Sequence, residues 1–477
     1  MNKQQRYDAI IIGSGPNGLS AAIVLALAGR SVLVVEARAT IGGGSRSQEL
    51  TLPGFVHDVC SAVHPLGLAS PFFQTLPLER YGLEWIQPEV PLAHPLDDGS
   101  AVLLERSIVA TAAHLGVDGE RYERLMRPFI EHWELIVAAF LAPLQLTPFL
   151  HPWALAPAGL AALQSARGLA ERSFKGERAR ALFAGISAHS MLPLEQLTSA
   201  AVGLVLATAG HVSGWPVPKG GSQRIVNALA AYLQALGGEI VTGEEVTTVE
   251  QLPPARVILG DITPRQLLNI AGHRLSPGYI RALKRFRYGP GSFKIDYALS
   301  GPVPWMARDC LRAGTVHLGG TLSQIATSER LMRGGEPAPQ PYVLVAQQSL
   351  IDPSRAPEGK QTLWAYCHVP HGSTFDMTTR IEDQIERFAP GFRDQILARS
   401  VISPADLERY NPNYIGGDIN GGSLDLWQLF TRPTLRPIPY STSAPDIYLC
   451  SSSTPPGGGV HGLCGYYAAR AVLNAGL

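Results

Sequence analysis

Cysteine is scarce and scattered. The five residues, at positions 60, 310, 367, 450 and 464, form no Cys-x-x-Cys pair. That spacing offers neither a zinc site nor a redox dithiol, and it suits a reducing cytoplasm. Neither sign of charge is in excess, with 39 basic against 39 acidic side chains. The electrostatic footprint of a nucleic-acid partner is therefore missing. No apolar run reaches the roughly twenty residues of a spanning helix. The first apolar run belongs to a nucleotide motif rather than to a secretion signal, so the expected location is cytoplasmic. Lysine is also rare, six residues in 477, and of these Lys219 alone stands beside a glycine pair, Gly220-Gly221.

Glycine is plentiful by comparison, and it concentrates near both ends of the chain. Asp8-Ala9-Ile10-Ile11-Ile12 reads as a buried strand. Gly13-Ser14-Gly15-Pro16-Asn17-Gly18 follows, then an alanine-rich helix from Leu19 to Ala28, a stop at Gly29, and a second strand, Ser31 to Val35, ending on Glu36. Strand, glycine turn, helix, strand and acid in this register make a dinucleotide fingerprint. Gly13 makes the tight turn, Gly15 lets the backbone approach a pyrophosphate, and Gly18 lets helix and strand pack closely. The helix N-terminus directs free N–H groups at the phosphates. Glu36 stands where a carboxylate receives ribose hydroxyls, with Ala37 and Arg38 beside it. Past the acid, Gly42-Gly43-Gly44-Ser45-Arg46 lets the chain double back toward the nucleotide, with Arg46 in reach of phosphates.

The stretch GSGPNGLSAAIVLALAGRSVLVVEARATIGGGSR resembles the FAD-binding start of the phytoene desaturase-like flavoproteins. Its Asn17-Gly18-Leu19 version resembles the branch related to pyridine nucleotide-disulphide oxidoreductase domain-containing protein 2. The resemblance implies non-covalent FAD. With no Cys-x-x-Cys, it does not extend to a disulphide reductase.

Further along, Val56 to Pro65 holds His57, Asp58 and His64, a dense polar group in an apolar neighbourhood. Such groups position a substrate or move a proton, or else cap turns. Asp97-Asp98-Gly99 reads as a hairpin turn. From Leu104 to Gly210 the pattern is helical, with helices expected over Ser107–Leu115, Gly119–Leu141, Pro157–Lys175 and Ala179–Ser190. Between Glu134 and Arg167 there is no acid, lysine or arginine, and four prolines interrupt the run. This segment reads as apolar core, as a substrate tunnel, or as a membrane-surface element with Phe149 and Trp153 as anchors.

Pro218-Lys219-Gly220-Gly221 resembles the family loop that returns the chain to the FAD domain. Lys219 there is either a flavin-side charge or a solvated loop residue. After a helix, Gln223 to Leu236, strands are expected at Glu239–Val241 and Glu245–Val249. The resemblance puts the backbone of Val246 against the adenine. Ala255 to Asp261 reads as a closing strand, and residues 290 to 400 as an alternating sheet covering the flavin and lining the substrate cavity.

The C-terminal segment, Ser451 to Gly462, contains a second GxGxxG at Gly457, Gly459 and Gly462, with fifteen residues after it and no following strand and acid. It reads as the flavin end of the first domain, where Gly458, Gly459 and Val460 open the last helix toward the flavin and Ser452 is a further cofactor contact. The resemblance implies that glycine usually stands in this loop at the position of Ser451.

The expected architecture is α/β: a doubly wound, Rossmann-like FAD domain of the glutathione-reductase type, from residues 1–70, 214–290 and 425–477. An α+β substrate domain, residues 71–213 and 291–424, is inserted. The expected activity is dehydrogenation or desaturation of a hydrophobic polyene, isoprenoid or lipid-like substrate, with oxygen or a quinone reoxidising the flavin. An amine-oxidase-like or isomerising flavoenzyme and a non-catalytic flavoprotein partner are the alternatives. Peripheral membrane contact is expected, a nucleic-acid or metal partner is not, and His57, Asp58 and Lys219 are the catalytic candidates.

Overall fold

Five short β-branched runs pair in parallel in the order Ile447–Leu449, Ala255–Gly260, Tyr7–Ile12, Val32–Val35, Glu239–Val241, drawn from three separated stretches of chain. The structure is a computed structural model describing residues 5–143 and 158–477. Alternation along each strand sends side chains to two buried faces. Ala9, Ile11, Val32, Val34, Val257 and Leu259 pack on one face, under the helices Pro16–Leu27, Gln223–Ala235 and Leu463–Asn474. Ile10, Ile12, Leu33, Val35 and Ile258 pack on the other, against Leu267, Ile270 and Leu283 of the helices Pro264–Ala271 and Pro277–Leu283. The fold is α/β, with a Rossmann-type parallel core covered on both faces.

A second, mixed sheet has seven strands in the order Ile396–Ile402, Gly291–Leu299, Gln361–Val369, Val343–Ala346, Ala313–Leu318, Val90–Pro95, Ala101–Leu104. The last two form the hairpin expected at Asp97–Gly99. One face is apolar, built from residues such as Phe293, Ile295, Val316, Val345 and Leu363 over Ile381, Ile385 and Phe388 of the helix Thr378–Phe388. The other face carries polar side chains.

Several elements end differently from their sequence expectation. The helix expected over Gly119–Leu141 divides at His132 into Gly119–Glu131 and Trp133–Phe140. Pro128 removes a backbone donor just before the break. The helix expected over Pro157–Lys175 is interrupted before Ala166, where Ser165 pairs with Leu197 and its Oγ accepts from Gly168 N–H. Glu245–Val249 is not a strand, because Thr248 and Gln251 form a capping box around the turn Val249–Gln251. Among the described flanks of the uncharged segment, Ile136, Val137, Leu141 and Ala161 are buried, whereas Leu160 and Leu163 face outward. None of these flanks lines the central cavity. Phe149 and Trp153 lie outside the described residues.

Candidate active site

A cavity of about 570 Å³ runs from the C-terminal ends of the parallel strands to the polar face of the mixed sheet. Its outer end is built by the first strand–helix turn. Gly13 adopts φ +99°, and a Cβ on Gly18 would stand 2.1 Å from Gly13 O, so helix and strand approach only as glycines. No side chain of its own caps the helix Pro16–Leu27. Instead Asp261, at the end of the neighbouring strand, accepts from Gly18 N–H at 2.9 Å. Burial pushes the Asp261 carboxyl up to about 7, against that hydrogen bond and with help from Glu36.

Glu36 is buried beside this turn. Its Oε2 accepts from Ser14 N–H at 3.1 Å and Ser14 Oγ at 2.5 Å, and its Oε1 from Arg38 N–H at 2.9 Å. The Arg46 guanidinium donates to Glu36 Oε1 at 3.2 Å and to the carbonyls of Thr40, Ile41 and Gly43. Arg46 therefore fastens the glycine loop to the acid. Three buried polar atoms on this wall, Asn17 Oδ1, Ser45 Oγ and Thr263 Oγ1, find no protein partner among the described residues. A glycine cradle, a helix N-terminus and three unpartnered polar atoms match the needs of a pyrophosphate and ribose.

The inner end is a different environment. Strand register places Thr315 opposite Ala346 and Ala346 opposite Trp364, and in the next row His317 opposite Leu344 and Leu344 opposite Tyr366. Thr315, Leu344, Trp364 and Tyr366 line the cavity with Trp215, Leu206 and His189. Glu36, Arg38, Arg46, Glu244, Glu245 and Asp261 are the ionisable acids and arginines of the lining, and all belong to the nucleotide end. Burial pushes His64 down to about 4 and His189 to about 3, so both rings are neutral near pH 7.

The model of the FAD dependent oxidoreductase (DAO) family matches residues 8–283. The chain belongs to that family. It is an FAD-dependent oxidoreductase, and the residues of the outer cavity fit its cofactor. It is 25% identical to the pyridine nucleotide-disulfide oxidoreductase domain-containing protein 2 of Mus musculus, over 98% of this chain and 93% of that protein. It is 24% identical to the lycopene-forming phytoene desaturase of Pseudescherichia vulneris, over 97% and 98%. In fold it is similar to an oxidoreductase from Methanosarcina mazei, with a TM-score of 0.65 at 16% identity, over 98% of this chain and 100% of that one.

In this oxidoreductase Gly13 to Asn17, Glu36 to Arg38, Gly43 to Arg46, Val246, Ser452, Gly459 and Val460 all line the cavity, while Gly18 packs behind it and Gly458 stands outside the lining. The last helix begins at Leu463, after Gly462 with φ +70°, so Gly458 to Val460 form a loop rather than its first turn. Gly459, at φ +123°, cannot continue into a helix. Ser451 lines the cavity, and its Oγ donates to Ile262 O at 2.7 Å.

The three catalytic candidates do not line the cavity. Asp58 is held by Arg355 at 2.9 Å, Ser47 Oγ at 2.6 Å and Ser222 N–H at 2.8 Å. Burial alone would raise its carboxyl, but Arg355 and these hydrogen bonds hold it below the usual range. His57 contacts Thr51 Oγ1 at 2.8 Å and is pushed down to about 3 by burial and then by Lys294 and Arg355. Lys219 pairs with Glu84 at 3.0 Å, both side chains more than half exposed. A solvated loop pair explains it. The sequence reading assigned no role to Asp261 and singled out no side chains on the polar face of the sheet it expected over the flavin. Their signal was an acid ending a parallel strand, and polar residues two apart at Lys294/Asp296, Thr315/His317 and Trp364/Tyr366/His368.

Proposed function

We propose that this oxidoreductase desaturates or dehydrogenates a hydrophobic, polyene- or isoprenoid-like substrate, with oxygen or a quinone as the final acceptor. The observation that carries this reading is the absence of any acid, lysine or arginine from the described lining of the inner cavity. An ionic substrate entering there would lose hydration without an opposite charge to meet it. A lipophilic one gains roughly 25 cal/mol for each Å² of apolar surface it buries. Bound flavin supplies a two-electron acceptor for hydride. The chain binds the substrate between Trp215, Leu206 and Leu344, orients it against Trp364 and Tyr366, and excludes water.

Delivery of such a substrate suits peripheral contact with a lipid surface. Trp427, Phe430 and Leu435 project outward at 77%, 49% and 81% exposure, close in sequence to the loop at Ile419–Gly421 that lines the cavity. The test is anaerobic mixing of the flavin-loaded protein with phytoene, squalene and a panel of primary amines. Bleaching by the hydrocarbons is the expected result. Bleaching by amines alone, or by nothing, overturns the reading. Sedimentation with liposomes, lost on Trp427→Glu with Leu435→Glu, tests the lipid contact.

A further inference from the structure

Of the polar residues between Val56 and Pro65, His57 and Asp58 do not line the cavity, but His64 does. Its ring is almost completely buried, at 2% exposure, 6.0 Å from the ring of Trp85. The chain that carries it is tied to both ends of the site. Three residues before it, Ser61 donates to Gly44 O, in the first glycine loop, through N–H at 3.1 Å and Oγ at 3.0 Å. His64 N–H donates to Pro216 O at 2.9 Å, beside Trp215 of the inner wall. Three residues after it, Gly67 packs against the last glycine loop, where a Cβ would stand 3.0 Å from Val460 O. His64 therefore sits where the cofactor end of the cavity passes into the substrate end.

The hydrogen positions on the ring follow from what its partner is able to do. His64 Nε2 lies 2.8 Å from Ser222 Oγ. That hydroxyl also lies 2.7 Å from Ser61 O, and a carbonyl only accepts, so the one hydroxyl hydrogen points there. Ser222 Oγ must then accept from His64, which puts the hydrogen of the neutral ring on Nε2. Nδ1 is left with a bare lone pair. It forms no hydrogen bond among the described residues, and unlike His57 Nδ1 and His94 Nδ1 it is not sealed inside the protein.

Ser222 is fixed in turn. Its N–H donates to Asp58 Oδ1 at 2.8 Å, and Arg355 at 2.9 Å holds Asp58 ionised. Burial pushes the His64 ring down to about 4, while Asp58 acts to raise it and Arg355 to lower it. The ring is therefore neutral near pH 7, and a carboxylate one hydrogen-bonded residue away offsets any charge the ring takes on.

We propose that His64 is the proton acceptor of the oxidation, taking a substrate proton on Nδ1 while Ser222 holds its Nε2 hydrogen. This rests on the desaturase reading of the site. In that reaction one C–H bond breaks, and its electron pair leaves with the hydrogen as hydride to the flavin. The adjacent C–H bond breaks as well. Its electron pair becomes the second bond of the alkene, and its proton goes to His64 Nδ1. The substrate loses one hydride and one proton and stays neutral, and the ring becomes an imidazolium. Oxygen or a quinone then takes the two electrons with both hydrogens, one from the flavin and one from the ring, which returns to its neutral form. The C–H bond beside a carbon that is losing hydride is strongly acidic, so a neutral imidazole is base enough. His64 is then a catalytic residue, and Ser222 is a positioning residue that fixes its tautomer.

Two measurements decide it. Spectra of ¹⁵N-histidine-labelled, flavin-loaded protein, assigned by the signal lost in His64→Ala, should show hydrogen on Nε2 and a bare Nδ1. A hydrogen on Nδ1 overturns the proposal whatever the substrate is. Ser222→Ala should release the tautomer and add a population with hydrogen on Nδ1. Anaerobic bleaching by phytoene in detergent micelles, measured per bound flavin, should slow by about a hundredfold to ten-thousandfold in His64→Ala, with partial recovery on adding imidazole. His64→Gln, whose amide keeps a donor for Ser222 but cannot take the proton, should be as slow. Ser222→Ala should slow bleaching less. Weaker flavin binding in both His64 variants, with bleaching at the parental rate per bound flavin, makes His64 a cofactor contact and overturns the inference alone. A parent protein that neither phytoene nor squalene bleaches overturns the desaturase reading, and the alkene-forming proton falls with it.

Discussion

At the scale of single residues, the nucleotide end is governed by two acids on the cavity wall, the buried Glu36 and the half-buried Asp261. Glu36 holds Ser14 and Arg46 as well as facing the cavity. Glu36→Ala removes charge-assisted hydrogen bonds of about 1.5–3 kcal/mol, so flavin affinity should fall about tenfold to a hundredfold by fluorescence quenching. Unchanged affinity would assign Glu36 to the loop alone. Asp261 differs, because burial raises its carboxyl from 3.8 to about 7. Between those values the folded protein keeps a proton that the unfolded chain has released. Its stabilising contribution is complete below about pH 4 and is lost as pH rises toward 7. Asp261→Asn removes this dependence and keeps an acceptor for Gly18 N–H. By urea unfolding the variant should exceed the parent at pH 8 by about 2–4 kcal/mol, with the gap closing toward pH 4. A gap that does not change with pH would refute the raised carboxyl.

At the scale of elements, the first and last helices cross where Gly465 meets the first turn. A Cβ on Gly465 would stand 1.8 Å from Asn17 O and 2.9 Å from Ala21 N. Asn17 is a wall of the cavity, so spreading this crossing moves the flavin site. Gly465→Ala should cost about 2–4 kcal/mol in thermal unfolding and reduce flavin content. Gly272→Ala, where an added methyl meets nothing within 4 Å, is the matched control and should be near neutral. Equal effects of the two substitutions would show that the crossing tolerates a methyl. The strands and helices of the first forty residues were legible because propensity, glycine chemistry and periodicity agree there. The start of the last helix was misread because Gly457, Gly459 and Gly462 imitate a fingerprint while their positive φ angles hold the chain outside helical geometry until Leu463.

At the scale of the whole molecule, the cavity belongs to neither sheet alone. The parallel sheet supplies its outer wall and the mixed sheet its inner wall. This explains which half of the site the sequence disclosed. Glycine turns and the acid that closes the fingerprint are local and visible, so Gly13 to Arg46 read as one motif from sequence alone. The inner wall exists only through register, which sets Thr315, Ala346 and Trp364 side by side from three segments far apart in the chain. His57 and Asp58 looked chemical because they are adjacent in sequence, yet Arg355, nearly three hundred residues on, claims Asp58. The same shared construction would make a flavin bound in this cavity a joint core of the two sheets. A ligand held only by the folded state at a hundred times its Kd stabilises by about 2.7 kcal/mol. Because both sheets wall the cavity that would hold it, its removal should loosen both. Hydrogen exchange of the flavin-free protein should show reduced protection in Tyr7–Ile12 and equally in Ala313–Leu318 and Gln361–Val369. Reduced protection confined to the parallel sheet would mean that the inner wall stands without the flavin and is shaped by the substrate alone.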